Sequence, residues 1–131
     1  MATVMVEIPV TASAEAAWDA VRDIGAVHTR LAVGFVTATE LIPGGRRVTF
    51  FNGAVVEEPI VTLDEARRRL VWSATKGGIT THYSASAQVF KRDSGAKVVW
   101  TADFLPDSAE RVIGDMIRAG AKAIAKTLGE V

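Results

Sequence analysis

Pro106-Asp107-Ser108-Ala109-Glu110, running on through Arg111-Val112-Ile113-Gly114-Asp115-Met116-Ile117-Arg118-Ala119-Gly120-Ala121-Lys122-Ala123-Ile124-Ala125-Lys126-Thr127-Leu128, is the stretch whose reading decides the rest. Pro106 ends whatever strand precedes it. Asp107 or Ser108 offers a side-chain oxygen to a first-turn N–H, and Glu110 is spaced to close a capping box. Arg111, Asp115, Arg118, Lys122 and Lys126 then recur every three or four residues as a solvated stripe. Ile113, Met116, Ile117, Ala121, Ile124 and Leu128 make the opposite, apolar face. The spacing predicts one long amphipathic helix. Gly114 and Gly120 interrupt it, each costing about 1 kcal/mol of helix propensity relative to Ala, and they remove side chains from one side. A long helix with a partly hollowed apolar face needs something wide to lie on.

The chain before it has the pattern of that partner. Thr3 to Val10 alternates, with Val4, Val6, Ile8 and Val10 on one face, as a half-buried strand does. Ser13 caps a short helix from Ala14 to Val21, and Gly25 to Leu31 reads as a second, shorter helical piece. Strands follow at Gly34–Leu41, Arg46–Phe51, Val55–Leu63, Arg69–Thr75, Thr80–Lys91 and Lys97–Phe104. The turns between them are Pro43-Gly44-Gly45, the two-residue hairpin signal Asn52-Gly53, Asp64 to Arg67, Lys76-Gly77-Gly78 and Asp93-Ser94-Gly95. Short turns pair strands antiparallel, so the expectation is an α+β domain: a seven-stranded curved antiparallel sheet in the order β-α-α-β6-α, with the last helix over its apolar face. The whole chain, 1–131, reads as one domain with no linker or repeat.

The bulk numbers exclude several function classes. Fifteen basic and fifteen acidic residues balance to zero, which leaves no electrostatic footprint for nucleic acid. There is no cysteine, so disulfides, thiol nucleophiles and thiolate metal sites are ruled out, in keeping with a cytoplasmic protein. The first ten residues alternate and carry Glu7, unlike a signal peptide or a membrane span, and no stable membrane insertion is expected. No nucleophile elbow, phosphate loop or H-E-x-x-H motif is present. His28 and His82 are the only histidines and have no nearby carboxylate pattern, so neither a metal nor another cofactor is expected.

Taken in series, several pieces of sequence resemble one family. They are Trp18-Asp19-Ala20-Val21-Arg22-Asp23-Ile24-Gly25-Ala26-Val27-His28; Asn52-Gly53 with Glu58 five residues on; Leu70-Val71-Trp72; His82-Tyr83; and Val98-Val99-Trp100-Thr101-Ala102-Asp103-Phe104-Leu105-Pro106. Together with the element order they resemble the START-like (Bet v 1-like, SRPBCC, helix-grip) superfamily, and within it the polyketide cyclase/dehydrase-related group, over essentially the whole length. Where many relatives have a Trp and a Pro just after the helical His, this chain has Arg30 and Ala32. The resemblance implies a cavity between sheet and long helix that takes a lipid-like or aromatic small molecule. The superfamily's fold hosts carriers, receptors and cyclases alike.

Strand parity selects the residues that would face such a cavity. Val98, Trp100, Ala102 and Phe104 share one face of the last strand; Leu70, Trp72 and Ala74 share one on the fifth; Tyr83, Ala85, Ala87 and Val89 share one on the sixth. Each aromatic taken singly is explained by an ordinary core. The small alanines beside Trp72, Trp100, Phe104 and Tyr83 favour a space. The expected ligand wall is Phe35, Phe50, Trp72, Ala85, Trp100, Ala102 and Phe104 from the sheet side, Ile113, Met116, Ile117 and Gly120 from the last helix, and Arg30 at the mouth. Glu58 faces inward if it shares a face with Val56 and Ile60, whereas a one-residue slip would put Glu57 there instead. A carboxylate in an apolar cavity would have a raised pKa and could act as an acid or a polar anchor. By family position the short helical piece lies near the mouth. His28 there could move protons and Arg30 could hold an anionic oxygen; a cap or a surface ion pair with Asp23 or Glu40 explains them slightly better.

Three functions compete. The first is a binding protein for a hydrophobic or aromatic small molecule, monomeric or homodimeric. The second is a polyketide cyclase/dehydratase-type enzyme in which Glu58, His28 and Tyr83 transfer protons. The third is an interaction module with a vestigial cavity.

Overall fold

Residues 1–75 and 78–131 are described by the computed structural model. The turn expected at Lys76-Gly77-Gly78 lies outside the described residues at its first two positions. Strand β1 (Ala2–Val10) alternates buried and open side chains, as its sequence predicts. Ser13 then takes extended φ/ψ and its Oγ accepts the Ala16 N–H at 3.1 Å, starting α1 (Ala14–Arg22). The second helical piece is a single wide turn, Val27–Leu31, closed by the Ala32 N–H on the Val27 carbonyl at 2.8 Å. Six strands follow: β2 (Val36–Ile42), β3 (Gly45–Phe50), β4 (Val55–Asp64), β5 (Arg69–Ser73), β6 (His82–Lys91) and β7 (Ala96–Leu105). One turn of 3-10 helix (Asp107–Ala109) leads into α2 (Glu110–Leu128).

The pairings between these seven strands are antiparallel, in the spatial order β1-β7-β6-β5-β4-β3-β2. The hairpin meander thus runs from β2 to β7, and the first strand returns to lie beside the last. This is the expected α+β helix-grip architecture. Helix α2 packs against β1 and buries Gly114, Ile117, Gly120 and Ile124. Burying Ile117 and Ile124 contributes about 1.5–3 kcal/mol each. The Trp18 indole donates to Glu65 Oε1 at 2.7 Å and Arg22 Nε donates to the same oxygen at 2.9 Å. That clamp fixes α1 to the turn between β4 and β5.

Two local expectations are corrected. The capping box at the start of α2 does not form, because Asp107 and Ser108 are themselves wound into the 3-10 turn, which places the helix start beyond them. No side chain caps α2; the Ala109 N–H bonds the Pro106 carbonyl, and Asp107 instead receives the Met1 ammonium at 2.9 Å. Asn52-Gly53 is not a two-residue hairpin. The loop is Phe51–Gly53, with the Gly53 N–H on the Phe50 carbonyl and the Phe50 N–H on Ala54. Gly53 takes φ 86° while Asn52 keeps a negative φ and uses its side-chain oxygen to accept the Ala54 N–H, so the pair serves a three-residue loop rather than a turn needing positive φ twice.

Candidate functional site

A cavity of about 270 Å³ lies between α2, the wide turn at Val27–Leu31 and the helix-facing side of the sheet. It falls near the lower end of the size range of small-molecule pockets. Its wall is mostly apolar and aromatic. Phe35 and Phe50 meet edge to face at 5.4 Å, with Trp72, Tyr83 and Trp100 from the central strands and Ile113, Met116, Ile117 and Ile124 from α2. The exposed side chains of Ile79 and Val112 line it as well and mark where it meets solvent.

One polar group is set into this wall. Arg46 on β3 and Glu58 on β4 are paired across the ladder, so their side chains leave the same face. Arg46 Nε donates to Glu58 Oε1 at 2.8 Å, with the residues only 4% and 7% exposed. The guanidinium carbon also stands 5.1 Å from the centre of the Trp72 ring, within cation–π range. Burial pushes the Glu58 carboxyl above the ordinary carboxylate range, opposed by the charge and hydrogen bond of Arg46. Tyr83 is also held well above the usual phenol range, first by burial and next by the negative charge of Glu58, with Trp100 and Arg46 pulling the other way. The Trp100 indole N–H stands close enough to the Tyr83 hydroxyl to favour its anion, yet closes no hydrogen bond of normal geometry. Arg46 Nη1 is likewise buried without a partner. Removing two ions from water costs several kcal/mol each, so an ion pair here is not explained by stability.

The expected site residues divide as follows. Phe35, Phe50, Trp72, Trp100, Ile113, Met116 and Ile117 line the cavity, as do Glu58 and Tyr83. Glu58, not Glu57, is the buried member; Glu57 pairs with Arg47 at 3.0 Å. Ala85, Ala102 and Phe104 face the same side but do not line the space, because Phe104 is fully buried and stacks on Tyr83 at 6.3 Å, filling that end of the core. Gly120 does not widen the cavity. A Cβ there would stand 2.7 Å from the Trp100 ring and 3.0 Å from Phe35, so the missing side chain admits those rings rather than a ligand. Arg30 is exposed and turned away, held by Asp19 at 2.6 Å and Asp23 at 3.0 Å. His28 does not line the cavity; its Nδ1 lies 3.1 Å from Thr39 Oγ1 on the edge strand β2. Arg46 is the residue that sequence reasoning missed. Its signal was there: Arg46, Val48 and Phe50 alternate on one face, and an inward Val48 carries Arg46 inward with it.

The seven-stranded antiparallel sheet, the long helix gripped against it and the cavity between them make up the helix-grip fold. Residues 1–130 match the model of the family described as polyketide cyclase / dehydrase and lipid transport, and the chain belongs to that family. Solved structures similar to it include protein XoxI from Bacillus cereus, 19% identical with a TM-score of 0.86 over 98% of this chain and 96% of that one. The Zhui aromatase/cyclase from Streptomyces sp. R1128 is 18% identical with a TM-score of 0.79, over 97% and 90% of the two chains. A protein from Thermobifida fusca is 29% identical with a TM-score of 0.72, over 100% and 98%. No curated protein matches the sequence. Among the described residues no helix is long and apolar enough to cross a membrane.

Proposed function

We propose that the protein binds a hydrophobic, ring-bearing small molecule in the cavity between the sheet and α2. The observation that carries this reading is the aromatic-lined space of about 270 Å³ with buried donor groups left without partners. A filled core would close such a space and satisfy such groups. Membership in a family described by cyclases and lipid transport supports the same class of ligand. A ligand that binds only the folded state raises stability by mass action, so a thermal-shift screen over lipids and fused-ring aromatics is expected to give concentration-dependent stabilisation. Native mass spectrometry should show one ligand per chain. A flat screen in both assays would overturn the reading.

A second reading, a cyclase/dehydratase-type enzyme, draws on one observation: Glu58 and Tyr83 share the cavity, and burial keeps protons on both more firmly than in water. In that reading Glu58 and Tyr83 supply proton transfer to a polyketide-like substrate, and His28, which does not line the space, acts only if the wide turn that carries it moves. Turnover unaffected by Glu58→Gln would sink it.

A further inference from the structure

Val33, Phe51, Ile79 and Val112 are large apolar side chains, each more than half exposed, and they come from four separate parts of the chain. Ile79 and Val112 edge the cavity mouth, while Val33 and Phe51 line an open groove along α2. Mouth and groove are continuous: Phe35 borders both, and its ring lies 5.8 Å from that of Phe51. Helix spacing makes the same connection. Val112, Met116, Ala119 and Ala123 follow at steps of three or four, the first two on the cavity and the last two on the groove. A contiguous exposed apolar patch of this kind marks an interaction surface.

The charges around the patch are unevenly placed. Segments 33–35, 51–54 and 78–81, which supply three of the apolar tips, contain no charged residue. Helix α2 carries Arg111, Arg118, Lys122 and Lys126 against Glu110 and Asp115, in a chain whose formal charge is zero. Arg118 is taken up by Asp115 at 2.9 Å, whereas among the described residues neither Lys122 nor Lys126 is held in a salt bridge. Those two lysines lie one turn apart and border the groove, where Glu130 is the one carboxylate among the described lining residues.

We infer that this rim docks, reversibly and without spanning, on a lipid bilayer surface that carries anionic headgroups. The patch matches the two layers such a surface offers. Its apolar tips reach the boundary of the acyl chains, while Lys122 and Lys126 at the border meet the phosphates. Interfaces between folded proteins are packed to the density of an interior, and four tips standing around an opening leave that opening unfilled. Fluid acyl chains cover it without a matching shape. Docking of this kind uses the outside of the cavity and is independent of whether a ligand fills the inside.

The chain has no cysteine, so one introduced cysteine carries one label. Phe51→Cys and Phe90→Cys are each given an environment-sensitive fluorophore. Phe90 is exposed at the far end of β6, about 25 Å from the strand's start near Ile79, and serves as the remote position. The vesicles are phosphatidylcholine alone, or an equal mixture of phosphatidylcholine and phosphatidylglycerol. The label at 51 should shift to the blue and brighten on the mixed vesicles only, and the label at 90 on neither. In flotation of the unlabelled protein at low salt, partition onto mixed vesicles should exceed that onto phosphatidylcholine by about tenfold or more. Lys122→Glu/Lys126→Glu, at two exposed positions, should remove that excess. Salt at about 1 M, which shortens the screening length to about 3 Å, should remove it from the unaltered protein too. Equal partition onto both vesicles, an equal response of the two labels, or an excess that survives both the lysine changes and the salt would overturn the inference. Absence of binding to either vesicle would overturn it as well and leave the patch to a protein partner.

Discussion

Arg22 with Glu65 and Arg46 with Glu58 are the same pair of residue types in two settings. At the first, Trp18 and Arg22 converge on an exposed carboxylate, and the contact ties α1 to a turn. The Glu65 carboxyl is held below the ordinary range by the hydrogen bonds of Arg22 and Trp18. At the second, one hydrogen bond joins two buried groups, burial pushes the carboxyl up, and a guanidinium N–H is left over. The exposed contact is complete in itself and serves architecture. The buried one leaves a guanidinium N–H without a partner, which architecture alone does not explain.

The largest expected effect comes from breaking the buried pair on one side. Glu58→Leu strands the Arg46 charge and should cost about 3–5 kcal/mol in urea denaturation at neutral pH. A loss below about 1 kcal/mol would mean that the guanidinium finds another partner. Next in size is Gly120→Leu, which drives a side chain into Trp100 and Phe35 and should cost about 1–3 kcal/mol. Unchanged stability with weakened ligand binding would return Gly120 to the role of setting cavity width. Removing both charges with Arg46→Met/Glu58→Leu should recover most of what the single change loses, and the double-mutant cycle measures the coupling directly.

The two carboxylates should also differ in the sign of their pH dependence. Glu58 has a folded pKa above its ordinary value of 4.5, so its contribution is present below that value and is lost as pH rises through the folded pKa. Stability of the wild type relative to the double variant should therefore fall as pH climbs from 4.5. Glu65, with its pKa lowered, contributes above the ordinary carboxylate range and loses that contribution on acidification. A wild-type protein that gains on the double variant across that rise would contradict the buried assignment of Glu58. The smallest effect is expected at Arg30→Ala, where an exposed arginine leaves two exposed carboxylates to water; the denaturation midpoint should stay within measurement scatter.

Much of the scaffold was legible because it depends on short-range rules. The period-two alternation of Val4, Val6, Ile8 and Val10, the Ser13 cap and the three-to-four spacing along α2 each act within a few residues, and each element formed where it was read. The site was legible only in part. Parity placed Trp72, Trp100 and Glu58 inward, but parity is silent about which inward residues touch one another and which enclose a space. Phe104 and Ala102 share a face with Trp100 and still belong to solid core. Gly120 looked like absent volume until the Trp100 ring was found occupying it.

The sequence by itself determined the element order, the antiparallel meander and the identity of the helix that covers it, since periodicity, capping and turn chemistry are local properties of the chain. Only the tertiary structure decided that Arg46 lies opposite Glu58, that Arg30 pairs outward with Asp19 and Asp23, and that the cavity ends short of Gly120. Those facts depend on cross-strand register and on the approach of α2 to the sheet. A one-residue slip in register or a small shift of the helix changes every such contact while leaving each local pattern untouched.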